Sequence, residues 1–151
     1  MPELSPRLRR VVDALPLRPG LRVLEVGGAP GAAAREVAAR VGPTGHVLVL
    51  DRSATGVERT REACAALVEE GRLSTLCAPV EDFALPPGVA PFDLAFACRV
   101  GALDGRHPRL RDAALAHLRA ALVPGGVLHV DTGDPLTAVP LDGRAPQRPA
   151  P

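Results

Sequence analysis

The sequence predicts an α/β domain with a mainly parallel β-sheet and helices on both of its faces. Short apolar runs alternate with helix-forming segments along the chain, and a glycine-rich turn joins the first run to the helix after it. The run at 47–50 is apolar at every position, which is typical of a strand covered on both faces. Strands that alternate with helices in this way favour a parallel sheet with right-handed crossovers.

The first strand and its turn occupy residues 21–31, Leu-Arg-Val-Leu-Glu-Val-Gly-Gly-Ala-Pro-Gly. The apolar run predicts a strand over 21–26, and the alanine-rich stretch after the turn predicts a helix over 32–41. The glycines of the turn allow backbone N–H groups to approach a ligand closely, and the positive end of the helix dipole adds to the attraction. This stretch therefore predicts a small-molecule binding site.

The remaining elements are predicted from capping residues, apolar periodicity and glycine or proline turns. Ser5 followed by Pro6 predicts the start of a helix that ends near Pro16. The second strand ends at Asp51, which places a carboxylate at the C-terminal tip of that strand. The further predicted strands are 73–77, 92–98 and 127–130, and the further predicted helices run from Ser53 to Gly71 and over 108–122, with loops at 79–91 and 99–107.

The length of the chain and the proline content of its C-terminus predict how it is divided into a domain and a tail. The 151 residues fit one domain, which we predict over 1–135, and we predict that 136–151 form a proline-rich tail. The residues from Arg144 onward are expected to be disordered. Because a bare fifth strand would expose unpaired backbone groups, we also expect either a homodimer or a covering of that edge by 136–141.

The charge and cysteine content favour a soluble cytoplasmic protein. A net charge of +1 gives no overall basic footprint of the kind typical of nucleic-acid binding. Cys64, Cys77 and Cys98 are odd in number and widely spaced, which argues against a disulfide framework and a zinc site. The sequence has neither a signal-peptide pattern nor an apolar run of the ~18 residues that a membrane span needs. We therefore expect a small-molecule substrate and no nucleic-acid or membrane partner.

Five segments, taken in order, resemble the motifs of class I S-adenosylmethionine-dependent methyltransferases. They are 23–31, 48–53, 80–83, 92–96 and 122–128. In the family these segments are the glycine motif with its acidic residue, the second strand with its terminal acid, the adenine loop, the fourth strand and the start of the fifth strand. The resemblance covers about 21–131 and identifies the chain as a small or truncated member. It implies a Rossmann-like three-layer sandwich with strand order 3-2-1-4-5, the antiparallel final strands being reduced or missing.

The resemblance implies S-adenosyl-L-methionine as the cofactor and S-adenosyl-L-homocysteine as its product. Asp51 would bind both ribose hydroxyls, because a carboxylate can accept two charge-assisted hydrogen bonds. Glu25 would lie under the glycine loop near the methionine ammonium group, while Val80 and Glu81 would meet the adenine edge. The residues assigned to the cofactor in this way are Glu25, Gly27, Gly28, Ala29, Gly31, Asp51, Arg52, Val80, Glu81 and Arg99.

Several of these assignments have alternatives. Ala29 replaces the middle glycine of the motif, and its methyl group would narrow the approach of the backbone to the ligand. An alanine is tolerated there if its φ is negative, so we expect weakened and not abolished binding. Glu25 can brace the loop by accepting backbone hydrogen bonds, a role compatible with contacting the cofactor. Pro79 stands where an acidic residue is common in the family, so Glu81 can equally belong to a solvated helix start.

The sequence singles out no catalytic residue. The four histidines show neither metal-ligand spacing nor the partners of a catalytic triad. Arg99 and His107 follow the fourth strand, and in the family this loop faces the transferred methyl group. Arg99 can hold an anionic substrate or be an exposed arginine at the start of a helix. Direct methyl transfer needs mainly positioning, so the lack of an evident base does not exclude activity.

Three functions are compared. The first is a methyltransferase that acts on an unidentified small molecule by in-line transfer. The second is a binding or interaction module of the same fold that has lost catalysis, since the segments that follow the fifth strand in the family are missing or vestigial. The third, a nicotinamide-dependent dehydrogenase, is disfavoured because its glycine positions correspond to Gly27, Ala29 and Ala32.

Overall fold

The computed structural model describes residues 3–141 and contains one sheet of six strands. The strands are β1 (Arg22–Val26), β2 (His46–Asp51), β3 (Leu73–Cys77), β4 (Phe92–Ala97), β5 (Leu122–Val130) and β6 (Thr137–Pro140). Their order is β3-β2-β1-β4-β5-β6. The first five strands are parallel and β6 is antiparallel to β5. The predicted order is confirmed, and the antiparallel part of the sheet consists of one short strand.

Helices flank the sheet on both faces. They are α1 (Pro6–Ala14), α2 (Ala32–Val41), α3 (Ala54–Ala63), α4 (Ala65–Glu69), α5 (Gly101–Asp104) and α6 (Arg111–Ala121), with a 3₁₀ turn at Pro108–Leu110. The side chain of Ser5 caps α1 by accepting a hydrogen bond from Leu8 N–H at 3.2 Å. Ser53 caps α3 through Gly56 N–H at 3.0 Å. These side chains satisfy N–H groups that the first turn of a helix leaves unpaired.

Two apolar cores, one on each face of the sheet, make the fold a three-layer sandwich. Alternate strand residues point to opposite faces, so Val23 and Val47 belong to one core while Leu24 and Leu48 belong to the other. The first core also contains residues of α1 and α2, and the second contains residues of α5 and α6. This confirms the predicted arrangement of helices on both faces.

Three segments differ from the sequence-based expectation. The helix predicted from Ser53 to Gly71 is interrupted at Cys64, whose φ of −111° and ψ of 25° separate α3 from α4. The short helix α5 lies within a segment predicted to be a loop. The fifth strand begins at Leu122 and not at the predicted residue 127, and its pairing with β4 shifts register between Phe92 and Leu94.

The outer edge of β5 is covered by β6. This strand lies within 136–151, the stretch predicted to be the tail, and it provides the expected covering by 136–141. Leu141 is almost fully buried, and the Arg119 guanidinium donates a hydrogen bond to its carbonyl oxygen. The disorder expected from Arg144 onward falls outside the described residues, and the homodimer stays a prediction.

None of the helices between residues 3 and 141 combines the length and the apolar character that a membrane crossing requires.

Candidate functional site

A cavity of about 350 Å³ opens at the carboxyl ends of the parallel strands. Its walls come from residues at the ends of β1 and β2 and from the loops that follow β3 and β4. The strand order reverses between β1 and β4, which is the place where open α/β sheets bind their ligands. The volume falls within the range of small-molecule sites.

Six of the ten residues assigned to the cofactor meet in this cavity. They are Gly27, Asp51, Arg52, Val80, Glu81 and Arg99. The other four, Glu25, Gly28, Ala29 and Gly31, do not line it, and they lie within or beneath the glycine loop. Their contacts with a cofactor stay predictions.

Gly27 is required by both its backbone conformation and its surroundings. Its φ is +72°, a region that residues with a Cβ rarely adopt. A Cβ at this position would come within 3.0 Å of Val100 Cγ2 on the loop after β4. The N–H of Gly27 donates to the carbonyl oxygen of Leu50 at 2.7 Å, which extends the pairing of β1 with β2 to the cavity wall.

Asp51 joins the tip of β2 to the glycine loop. Its Oδ2 accepts a hydrogen bond from Ala29 N–H at 3.2 Å, and its Oδ1 accepts one from Ser53 N–H at 2.9 Å. These two bonds fix the orientation of the carboxylate. Because each carboxylate oxygen can accept two hydrogen bonds, both oxygens keep acceptor capacity for the hydroxyl groups of a ligand.

The methyl group of Ala29 does not lie on the cavity wall. It packs toward α3, where a Cβ added to Gly56 would come within 2.9 Å of it. Among the non-glycine residues of the described chain, the only positive φ belongs to Arg99, so Ala29 meets the condition under which alanine is tolerated. Gly31 has a φ of +101° and packs on Cys64, so it joins the loop to the same helical region.

Glu25 is a buried carboxyl group under the glycine loop. The residue is 3% exposed, and Oε1 has no hydrogen-bond partner within the described residues. Burial, followed by the negative charge of Asp51, raises the pKa of Glu25 from 4.5 to about 8. The side chain is therefore mainly protonated and neutral at pH 7. Because Oε1 of Glu25 is buried without a partner, it can form a hydrogen bond with a polar group that approaches it through the glycine loop.

The loop after β4 forms the opposite wall. Arg99 has a φ of +56°, and its backbone is held on both sides: its N–H donates to Asp131 Oδ2 at 3.0 Å, and its carbonyl oxygen accepts from Arg106 Nη2 at 2.8 Å. The imidazole of His107 packs on Gly101, where a Cβ would come within 2.2 Å of His107 Cδ2. Gly101, Ala102 and Arg106 also line the cavity, and none of the three was predicted from the sequence. They belong to the segment that follows the fourth parallel strand, and this position was the signal that could have identified them.

The fold and this cavity define an α/β domain of the kind that binds nucleoside- or nucleotide-containing cofactors. A glycine turn follows β1, a carboxylate ends β2, and the cavity lies at the point where the strand order reverses. A family model described as "Methyltransferase domain" matches residues 23–126. The chain therefore belongs to the class I S-adenosylmethionine-dependent methyltransferase family.

Curated relatives of the chain include two bacterial proteins named as ubiquinone/menaquinone biosynthesis C-methyltransferase UbiE. The protein of Pseudomonas aeruginosa (strain LESB58) is 30% identical over 122 residues, which cover 81% of this chain and 45% of the relative. That of Bordetella avium (strain 197N) is 33% identical over 133 residues, which cover 84% of this chain and 48% of the relative. The chain thus spans a little under half the length of these two relatives.

Solved structures show the same fold. A methyltransferase from Aquifex aeolicus, described as SAM dependent, superposes with a TM-score of 0.65 at 20% identity and covers 82% of this chain and 62% of its own. TrmN from Thermus thermophilus superposes with a TM-score of 0.61 at 30% identity, and the match covers 82% of this chain and 35% of TrmN. The [4+2]-cyclase SpnF superposes with a TM-score of 0.64 at 24% identity, and the match covers 82% of this chain and 42% of SpnF. Since a cyclase shares the fold, the fold alone does not define the reaction.

Proposed function

We propose that this domain transfers a methyl group from S-adenosylmethionine to a small-molecule acceptor by direct in-line displacement. The observation that carries the proposal is the position of Asp51. Its carboxylate is fixed by two backbone hydrogen bonds and lines the same cavity as Gly27, Val80 and Glu81. This set matches the groups that the cofactor needs: acceptors for its ribose hydroxyls, a polar loop for its purine and a close backbone for its amino-acid tail.

The polar groups of the cavity are suited to the cofactor. Asp51 would accept hydrogen bonds from the ribose hydroxyls, since both of its oxygens keep acceptor capacity. Val80 and Glu81, in the loop after β3, would offer a backbone group and a carboxylate to the adenine edge. Gly27 leaves a space against Val100 that any side chain would fill, and Glu25 has an unpartnered Oε1 under the loop. The residues therefore fit this cofactor.

The bound cofactor would supply a methyl group activated by a positively charged sulfur. The chain's own residues would act by binding and positioning, which can account for a large part of the rate enhancement of a direct transfer. Asp51 would fix the nucleoside, and the apolar residues Val26, Val100 and Ala102 would limit the access of water to the cavity. No side chain is assigned as a base.

The first test of this proposal measures the binding of the cofactor. Isothermal titration calorimetry should show that S-adenosylmethionine and S-adenosylhomocysteine bind and that NAD does not. Methyl transfer from labelled S-adenosylmethionine should then be tested on phenols, amines and quinols. Carbon acceptors belong in this panel because the curated relatives are named as C-methyltransferases. Failure of both nucleosides to bind would contradict the proposal, and binding without turnover across the panel would favour the inactive module instead.

A further inference from the structure

The basic residues of the cavity differ in how far their charges are neutralised. Arg106 lines the cavity, but its Nε pairs with Asp104 at 2.9 Å and its Nη2 donates to the carbonyl oxygen of Arg99. The acidic residues that line the cavity, Asp51 and Glu81, belong to the opposite wall, at the end of β2 and in the loop after β3, and the third basic residue of the cavity, Arg52, lies on that wall beside Asp51. The wall after β4 is thus basic where it faces the cavity.

The guanidinium of Arg99 is the cation on this wall that other side chains leave free. Within residues 3–141 it takes part in no hydrogen bond or ion pair. Two carboxylates of the neighbouring segments have other cationic partners. Asp131 accepts from the backbone N–H of Arg99 and lies 3.7 Å from Arg7, while Asp104 is paired with Arg106. A positive charge that lines a cavity without a counter-charge of its own is suited to an anionic ligand.

The backbone of Arg99 adopts a strained conformation. A φ of +56° is unfavourable for any residue with a Cβ, and glycine would adopt it without strain. Two side chains, Asp131 after β5 and Arg106 from the same loop, nevertheless hold this conformation in place. Strained residues maintained by such contacts are concentrated at ligand-binding and catalytic sites.

His107 supplies a second polar group on the same wall. Its backbone N–H donates to the carbonyl oxygen of Gly101 at 2.9 Å, which folds the segment back on itself. Only a glycine at 101 leaves room for the ring, because a Cβ there would come within 2.2 Å of Cδ2 and 3.0 Å of Nε2. Neither ring nitrogen of His107 has a hydrogen-bond partner in the described part of the chain. The ring can therefore donate a hydrogen bond to a ligand in the cavity.

We propose that Arg99, Gly101 and His107 form a subsite for an oxyanion of the methyl acceptor, such as a carboxylate or a phosphate. The guanidinium of Arg99 holds the oxyanion, for which its planar array of donors is well matched, and His107 adds one donor. Gly101 provides the space that the imidazole occupies. This inference rests on the proposed function, since it names the chemical class of the acceptor. The other oxyanion that Arg99 could hold is the carboxylate of the cofactor itself, and the experiment below separates the two.

The test compares benzoate with benzamide, two probes of the same shape that differ in charge. Each is titrated by ligand-observed NMR against the full chain, once alone and once saturated with S-adenosylhomocysteine. Benzoate should bind about tenfold more tightly than benzamide in both conditions, which is the preference that one charge-assisted interaction provides. Equal binding of the two probes, or binding of neither, would overturn the proposal. Loss of the preference when S-adenosylhomocysteine is present would assign Arg99 to the cofactor's carboxylate and overturn it too.

Variants of Arg99 show whether this side chain is responsible. Arg99→Gln should abolish the preference for benzoate, and Arg99→Lys should retain part of it. The matched control is Arg109→Gln, which removes an exposed arginine that lies in the following 3₁₀ turn and does not line this cavity. Retention of the full preference in Arg99→Gln, or an equal loss in Arg109→Gln, would contradict the assignment.

Arg99→Gly is a second variant that keeps the test valid if Arg99→Gln does not fold. Glycine removes the guanidinium while it accepts the positive φ, so this variant should fold at least as well as the natural chain and still lose the preference. A glycine variant that retains the preference would refute the subsite.

The results also separate this proposal from the proposed function. A protein that prefers benzoate but does not bind S-adenosylhomocysteine would contradict the methyltransferase function alone. A protein that binds S-adenosylhomocysteine and treats the two probes alike would contradict the subsite alone.

Discussion

The carboxyl group of Glu25 lies directly beneath Gly28, so that a Cβ at position 28 would come within 2.6 Å of Glu25 Cδ and 2.7 Å of Oε1. Gly27 and Gly31, by contrast, have positive φ angles, and Gly28 does not. The glycine at 28 is thus required by the buried side chain below it and not by its own backbone conformation. Two features of the sequence motif, the acid and the second glycine, are therefore coupled by packing.

Gly28→Ala should destabilise the protein by about 1–3 kcal/mol, because the new methyl group overlaps a side chain that is enclosed on all sides. Urea denaturation measures this change in the free energy of unfolding. The double variant Glu25→Ala/Gly28→Ala removes the atoms that the methyl group would meet. The two substitutions should then be non-additive, with Gly28→Ala costing less in the Glu25→Ala background. Strict additivity would contradict the packing of Glu25 against Gly28.

Glu25 should also make stability depend on pH. Below pH 4.5 the carboxyl is protonated in both the folded and the unfolded chain, so it has no effect. Between pH 4.5 and about 8 the unfolded chain loses this proton while the folded protein retains it, so stability falls as the pH rises. Glu25→Gln removes the titration. The free energy of unfolding of this variant relative to the natural protein should therefore increase with pH, by up to about 1.4 kcal/mol per pH unit in this window.

Urea denaturation at pH 5 and pH 8.5 measures this difference. The control is Glu69→Gln, which changes an exposed glutamate of α4 and should preserve the natural pH dependence. A constant difference between Glu25→Gln and the natural protein at the two pH values would show that burial does not raise the pKa of Glu25.

Leu141 anchors the strand that covers the edge of the sheet. It is 3% exposed and belongs to the core on the α6 side. Leu141→Ala should lower the free energy of unfolding by about 2–4 kcal/mol, whereas Val89→Ala, at a 37% exposed residue, should change it by less than about 0.5 kcal/mol. If β6 detaches in the Leu141 variant, light scattering at high protein concentration should detect self-association through β5. A loss no larger than that of Val89→Ala would mean that β6 contributes little.

Local signals in the sequence were sufficient for most of the fold. The helix over 32–41 and the strand over 73–77 have the predicted bounds, because glycines and proline terminate these elements within the sequence itself. The helix α5 was missed since four residues are too few to show a helical period. This helix depends instead on a tertiary contact: the chain turns back at His107, whose N–H donates a hydrogen bond to the carbonyl oxygen of Gly101. The pairing of β6 likewise depends on its neighbour β5 and not on its own sequence.

The candidate site was predictable to a similar degree. Gly27 and Asp51 follow predicted strands directly, so the meeting of parallel strand ends brings them together. Glu25 lies under the glycine loop, as the resemblance implied. The position of the Ala29 methyl group was harder to foresee, because the side of the loop that it occupies depends on packing against α3. The positive φ of Arg99 has no sequence signal, since an arginine does not favour it.

The central claim is that the cavity binds S-adenosylmethionine through Asp51. Calorimetric titration of S-adenosylhomocysteine into the natural protein, Asp51→Ala and the control Asp112→Ala tests it most directly. Asp112 is an exposed aspartate in the first turn of α6 and lies outside the cavity. Thermal unfolding of each variant verifies that it is folded, which matters because Asp51 also holds the N–H of Ala29.

Asp51→Ala should lose about 2–3 kcal/mol of binding free energy, which is a decrease in affinity of about 30- to 150-fold, while Asp112→Ala should bind as the natural protein does. A folded Asp51→Ala variant that binds S-adenosylhomocysteine with unchanged affinity would contradict the claim.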